Sequence, residues 1–402
     1  MTRRILIIGA GFAGLWSALA AARRLQLEGS AQGAIEIAVV APEAALTMRP
    51  RLYEAAPGDM VAPLQQLFDD TGVRHIQGMV ETIRADKDEV EIVDAQGRRT
   101  IVVYDRLVLA AGSSLIQPNI PGLSEFSFNV DQRGDAVALD AHLQLLAAEP
   151  SSPTRNTVVV AGGGFTGIEM AAELPERLRT ILGQDEDIRV IVVERGETIG
   201  PDLGPGPRPV IEQALAELGV TCRLGAAVAQ VDADGLNTTS GERIAAATII
   251  WTAGVRASAL TEQIPGMRDG AGRLRVEHDL RVAASPKVFA TGDAAVAATD
   301  DAGNHTLMSC QHAMFLGRSA GDNAVADLLG LATRAYRQPA YVTCLDLGTW
   351  GAVVTQGWER KVWLTGSEAK AMKIAINSKL IYPPANAADA LAAADPALEL
   401  SL

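Results

Sequence analysis

The stretch Arg4-Ile-Leu-Ile-Ile-Gly-Ala-Gly-Phe-Ala-Gly-Leu-Trp16, RILIIGAGFAGLW, decides the fold, because TVVVAGGGFTGIEM, from Thr157 to Met170, repeats it. In the first copy an Ile-rich run suited to a buried parallel strand leads into Gly9, Gly11 and Gly14. FAGLWSALAAARRL follows, apolar nearly all round and built from good helix formers, which predicts a covered helix. In the second copy Gly162, Gly164 and Gly167 stand between the run Thr157 to Ala161 and a helical IEMAAELPERL. Glycine suits these positions because the chain turns sharply, a pyrophosphate approaches its backbone, and helix packs on strand with its N-terminal amides facing the phosphates. One GxGxxG is a weak signal; two, each between strand and helix, predict two dinucleotide sites.

The register extends to the end of the next strand, where an acidic side chain receives ribose hydroxyls. RVIVVE ends on Glu194 in the second copy, whereas the first has Ala41 there and offers Glu43 two residues on. Glu194 would accept from a 2′-hydroxyl and repel a 2′-phosphate, favouring NADH; Arg195 beside it leaves NADPH open.

Composition narrows the partners. At 402 residues the chain exceeds one ordinary core, and 48% hydrophobic content suffices for several. A net charge of −13 with no dense Lys/Arg run speaks against nucleic acid. The N-terminus lacks signal-peptide features and no apolar run approaches a bilayer span of about 20 residues, so a cytoplasmic protein is expected. Cys222, Cys310 and Cys344 show neither CxxC spacing nor a His-rich neighbourhood, so reduced thiols and no metal site are expected.

Two more segments, YDRLVLAAGS from Tyr104 and VFATGDAA from Val288, are apolar strands ending in small-residue turns. With them the chain resembles the pyridine-nucleotide-dependent flavoprotein oxidoreductases, in that family's motif order. The resemblance implies an α/β fold with two Rossmann-like domains, for FAD and NAD, the second inserted in the first, plus a small C-terminal region. It implies FAD binding through the first fingerprint, Ala111, Gly112, Gly292 and Asp293, the aspartate on the ribityl chain, and NADH binding through the second. The boundaries that follow are 1–117 and 256–330 for the two parts of the FAD-binding domain, 118–155 for a connection and 156–255 for the NAD(P)H-binding domain. A C-terminal region, 331–382, and a mobile tail, 383–402, complete the chain.

Several stretches are similar to type II NADH dehydrogenases, single-chain NADH:quinone oxidoreductases. TIIWTAGVRAS, with Gly254, resembles their return to the FAD domain, and RPRLYEAAPG, with Pro50, Leu52 and Tyr53, their Gln-Pro-Leu-Leu-Tyr segment near the flavin. Glu169 matches an acidic residue that this branch places near nicotinamide and flavin. Their Ala-Gln-x-x-x-Gln quinone motif is only half kept: Gln311 matches, Cys310 replaces the alanine and Phe315 the second glutamine, leaving an aromatic ring for a flat acceptor. The resemblance implies hydride transfer from NADH to flavin N5, then electrons to a quinone-like acceptor, with Glu169 and Gln311 as the residues closest to the chemistry. Two alternatives stand beside it: a flavin-dependent reductase of another small molecule, and an NADH-sensing flavoprotein. His312 is expected to pack in a helix rather than act. Lys370, Lys373 and Lys379 on a short amphipathic stretch admit peripheral contact with the inner face of a membrane, and a homodimer is also admitted. Cys344 before Asp-x-Gly is similar to sulfide:quinone oxidoreductases, a chemistry that would need Cys310 as second sulfur, while the CxxxxC dithiol of glutathione-reductase-like enzymes is missing.

Overall fold

The computed structural model describes residues 2–29 and 34–399. Its larger sheet has six strands in the order Arg281–Val282, Ser285–Ala290, Arg106–Leu109, Arg3–Ile8, Ile35–Ala41 and Val73–Gln77. All neighbours are parallel except the first pair. Residues from 3–109 and from 281–290 thus share one sheet, with the second fingerprint lying between them in sequence. The smaller sheet, Val220–Arg223, Arg189–Val193, Thr157–Ala161 and Thr248–Trp251, is wholly parallel. The two fingerprint strands hold equivalent places: Arg3 pairs with Ile35 as Thr157 pairs with Arg189.

Parallel strands buried on both faces explain why the apolar runs do not alternate. Each sheet carries its fingerprint helix on one face, Phe12–Leu27 or Phe165–Leu182, and an antiparallel meander on the other. The helix Phe12–Leu27 is buried from Phe12 to Ala22 because a second helix, Cys310–Leu329, lies along its outer side. That approach needs small residues: a Cβ on Gly317 or Gly321 would sit 2.5 Å from the Ala13 carbonyl or 2.0 Å from that of Ser17. Two short antiparallel strands, Ser113–Leu115 and Val255–Ala257, join the two halves. Together these form the mixed α/β fold with two dinucleotide-binding domains.

The C-terminal region is a three-stranded meander, Val342–Asp346, Ala352–Gln356 and Lys361–Thr365, with the helix Gly366–Ala375. It packs against the second fingerprint helix, where a Cβ on Gly348 would lie 2.1 Å from the Ala172 carbonyl. The expected mobile tail is corrected up to residue 399; 400–402 fall outside the described residues. Ala387–Ala393 is a helix whose Asn386 side chain caps the Asp389 amide, with Ala390 and Leu391 buried in the main core and Asp395 paired with Arg23. An Ala-rich composition hid its two useful features, a cap and one apolar face. No helix among the described residues is long and apolar enough to cross a membrane.

Candidate functional site

The glycines of each fingerprint divide into two kinds. Gly9 and Gly162 have φ of +104° and +122°, where their neighbours leave no room: added Cβ atoms would meet the Ala110 carbonyl at 2.5 Å and the Thr252 hydroxyl at 2.8 Å. Gly14 and Gly167 let helix pack on turn, since a Cβ would lie 1.9 Å or 1.8 Å from the carbonyl of Gly9 or Gly162. Gly11 and Gly164 differ: a Cβ there meets nothing within 4 Å. The protein itself does not require glycine at these two positions, so the demand comes from what approaches the backbone. Both are helix N-caps with no side-chain cap, and neither first turn carries an acidic residue, which leaves the leading amides free for phosphate oxygens. The residues present therefore fit a dinucleotide pyrophosphate at each fingerprint.

Around the first fingerprint, Gly112 lies in a left-handed turn after Ala111, and Gly292 presses on Ala13 of the fingerprint helix. Asp293 is next to it, accepting a hydrogen bond from the Ser113 hydroxyl at 2.6 Å. Burial pushes its carboxyl above the usual range against the pull of Ser113 and Arg49. Arg49, before Pro50 in a short 3-10 turn, donates to the Ser113 and Asp131 carbonyls and pairs with the Asp131 carboxylate. It occupies the place of the glutamine in the segment that RPRLY resembles, so it brings a positive charge beside Asp293 and Gly112. Glu43 points elsewhere: it is largely exposed and paired with Arg133 at 3.0 Å.

Glu194 ends its strand buried, one oxygen accepting from the Gly163 amide and the other from Gly196, each at 2.7 Å. It is locked against the second fingerprint while Arg195 is exposed. Gly254 has φ +84° and its carbonyl accepts from the Ile116 amide; its conformation answers to the crossing between the two halves.

Glu169, in the second turn of the helix Phe165–Leu182, is buried and paired with Lys373 Nζ at 2.7 Å; its Oε1 also accepts from the Asp346 amide at 3.0 Å. Burial pushes the Glu169 carboxyl up to about 7 even with Lys373 beside it. Burial also works against the charge of Lys373, but Glu169 outweighs it and holds the ammonium above its ordinary value. Around the pair, Lys370 bridges to Asp346, and the Tyr53 hydroxyl donates to Asp346 at 3.0 Å. Lys373 also lies 5.7 Å from the Tyr53 ring centroid and 6.0 Å from that of Phe165. The structure so corrects the amphipathic reading of this stretch: Lys370 and Lys373 turn inward, and only Lys379 is exposed. Lys373 was missed as a site residue because its partner is 204 positions away.

At the acceptor motif, Gln311 is tied to the C-terminal meander, its amide donating to the Val342 carbonyl at 3.2 Å and its oxygen accepting from the Val342 amide at 3.4 Å. Phe315 is one turn on and partly buried, with the Arg318 guanidinium 5.0 Å from its ring centroid, so one face of the ring is already covered. Asp293, Glu169, Lys373 and Gln311 come from four segments, and the meander touches three of them directly, through Val342, the Cys344 carbonyl and the Asp346 amide. Cys310 and Cys344 are free thiols, as is Cys222. Burial pushes them up to about 11 and about 12, which suppresses the thiolate that redox sulfur chemistry needs. His312 is fully buried and stacked on Tyr341, as a packing residue would be.

A family profile described as pyridine nucleotide-disulphide oxidoreductase matches residues 3–317. The chain belongs to that family. An NADH dehydrogenase-like protein of Mycobacterium tuberculosis is 46% identical over 406 residues, covering 98% of this chain and 99% of the relative. A type II NADH:quinone oxidoreductase of Staphylococcus haemolyticus is 26% identical, covering 94% and 95%. Among solved structures, NDH2 from Plasmodium falciparum superposes with a TM-score of 0.77 over 95% of each chain at 14% identity, a likeness of fold. As a member of this oxidoreductase family the chain is an enzyme of the two-dinucleotide type, similar to relatives named as NADH dehydrogenases.

Proposed function

We propose that the protein holds FAD at Gly9, Gly11 and Gly14, receives NADH at Gly162, Gly164 and Gly167, and passes electrons to a quinone-like acceptor. The observation that carries this reading is the pair of open cradles at Gly11 and Gly164, with Glu169 and Lys373 next to the second. The names of the relatives from M. tuberculosis and S. haemolyticus support it. Bound flavin supplies two-electron chemistry between nicotinamide and acceptor. The chain's own residues do the rest. Glu194 offers its free lone pairs to ribose hydroxyls and disfavours a 2′-phosphate, with Arg195 the group that would tolerate one. Asp293 and Ser113 receive the ribityl hydroxyls, and Arg49 sets a positive charge beside them. Glu169, poised near neutrality, holds or releases a proton at Oε2 while Lys373 and the Asp346 amide fix its position through Oε1.

The test is anaerobic stopped flow on the purified yellow protein. NADH should bleach the flavin band, and a soluble short-chain quinone should restore it faster than oxygen does. Should NADH leave the band untouched, the reading fails. A second reading changes only the acceptor: Arg318 over Phe315 leaves less aromatic surface for a neutral quinone, which favours a reductase of another small molecule. Quinone performing no better than oxygen would select it.

A further inference from the structure

The strand Val342–Asp346 is at the edge of the C-terminal meander and pairs with Ala352–Gln356 on one side only. Tyr341 and Leu347 turn their backbone groups toward that partner: the Tyr341 carbonyl accepts from the Gly357 amide at 2.8 Å, and the Leu347 amide donates to the Gly351 carbonyl at 2.9 Å. Backbone direction alternates along an antiparallel strand, so Val342, Cys344 and Asp346 turn theirs outward. Each meets a residue of the proposed site. Val342 exchanges two hydrogen bonds with the Gln311 side chain, at 3.2 and 3.4 Å. The Cys344 carbonyl accepts from Lys373 Nζ at 3.3 Å, and the Asp346 amide donates to Glu169 Oε1 at 3.0 Å. At about 3.3 Å per residue the two outer contacts are about 13 Å apart, a spacing that the extended backbone fixes.

The strand is clamped at its Asp346 end. Asp346 is 6% exposed, and its carboxylate takes three donors: the Gly348 amide at 2.9 Å and Lys370 Nζ on Oδ1, and the Tyr53 hydroxyl at 3.0 Å on Oδ2. Tyr53 belongs to the RPRLY segment of the first domain, Lys370 to the helix Gly366–Ala375, and Glu169 to the second fingerprint helix. One residue therefore ties three parts of the molecule together. Its side chain holds the first two and its amide holds the third.

We propose that Asp346 is a positioning residue: clamped by Tyr53, Lys370 and Gly348, its carboxylate sets the register in which the strand edge meets Glu169, Lys373 and Gln311. The inference rests on the proposed function for what those three side chains do, and on geometry for how they are held. Lys373, Asp346, Cys344, Tyr53 and Cys310 are the titratable groups that face Glu169 from other elements, and Glu173 is one turn on along its own helix. Among them Asp346 acts in two opposed ways. Its amide stabilises the Glu169 carboxylate, whereas its own negative charge disfavours it. Loss of register and loss of charge therefore move the proton affinity of Glu169 in opposite directions.

Infrared difference spectra of the purified protein across neutral pH test it, read at the protonated-carboxyl band that Glu169→Gln lacks. Two variants remove the Asp346 charge and differ only in the clamp. Asp346→Asn keeps an oxygen for Lys370 and the Gly348 amide, so the register stays and the midpoint should fall below that of the unmodified protein. Asp346→Ala has no clamp, and its midpoint should lie about one pH unit above that of Asp346→Asn. Tyr53→Phe removes one donor to Asp346 without changing any charge; its midpoint should rise above that of the unmodified protein, and it decides the matter if Asp346→Ala does not fold. Equal midpoints in Asp346→Ala and Asp346→Asn, or in Tyr53→Phe and the unmodified protein where the alanine variant does not fold, overturn the inference. The titration uses neither NADH nor quinone, so a failure of NADH to bleach the flavin would remove the proposed function and leave this result standing.

Discussion

A carboxylate and an ammonium 204 residues apart in sequence make the most consequential contact, Glu169 with Lys373. Removing Lys373 leaves the carboxyl buried without its ion-pair partner and drives it to protonate, so Lys373→Met should cost about 3 kcal/mol in urea unfolding above pH 8, where the carboxylate is otherwise ionised, and less at lower pH. The pH dependence has a definite sign. Glu169 is raised from 4.5 to about 7 in the fold, so the stability it contributes is full below pH 4.5 and is lost as pH rises through 7. Relative to Glu169→Gln, the unmodified protein should therefore gain a few kcal/mol between pH 7.5 and 5, at about 1.4 kcal/mol per unit. Paired denaturation curves that keep a constant separation across this range would contradict the assignment. Asp293 belongs to the same scale. Asp293→Ala should purify with little flavin absorbance near 450 nm, a wavelength set by flavins in general, while circular dichroism stays native.

Among the elements, the helix Ala387–Ala393 is the one that composition concealed. Its apolar face is small but buried on the first fingerprint helix, and Leu391→Ala should cost about 2–3 kcal/mol, whereas a tail without packing would tolerate it. Asn386→Ala removes a cap worth about 1 kcal/mol. The amphipathic segment before it teaches the converse. Lys370 and Lys373 are spaced to share a face, which reads as a charged exterior, yet that face closes over Glu169 and Asp346. Periodicity identifies which residues share a face and is silent on what the face meets.

On the scale of the whole molecule, the repeated fingerprint predicts separable losses. Gly11→Ala and Gly164→Ala both have room in the fold, so both variants should keep native stability. The first should lose flavin; the second should keep flavin and bind NADH more weakly, as read by absorbance and by NADH titration. Gly14→Ala, whose Cβ would strike the Gly9 carbonyl, should fail to fold. Glu194→Ala should narrow the preference for NADH over NADPH, since a buried carboxylate is removed and the exposed Arg195 stays.

The two strand-turn-helix units were legible in sequence because each is local. An apolar run, three glycines and a helix former pattern lie within about twenty residues, and backbone sterics leave one way to connect them. Asp293 at its turn and Glu194 at its strand end were legible for the same reason, as fixed offsets from a strand. Glu43 was not, because beyond the strand end the chain is free to turn, and its carboxylate goes to Arg133. What tertiary structure alone decided is everything that depends on which surfaces meet: Lys373 on Glu169, Arg49 beside Asp293, and Arg318 over Phe315. Local pattern is set by the period of the backbone, whereas the pairing of distant charges follows from close packing of domains, which no short stretch of sequence contains.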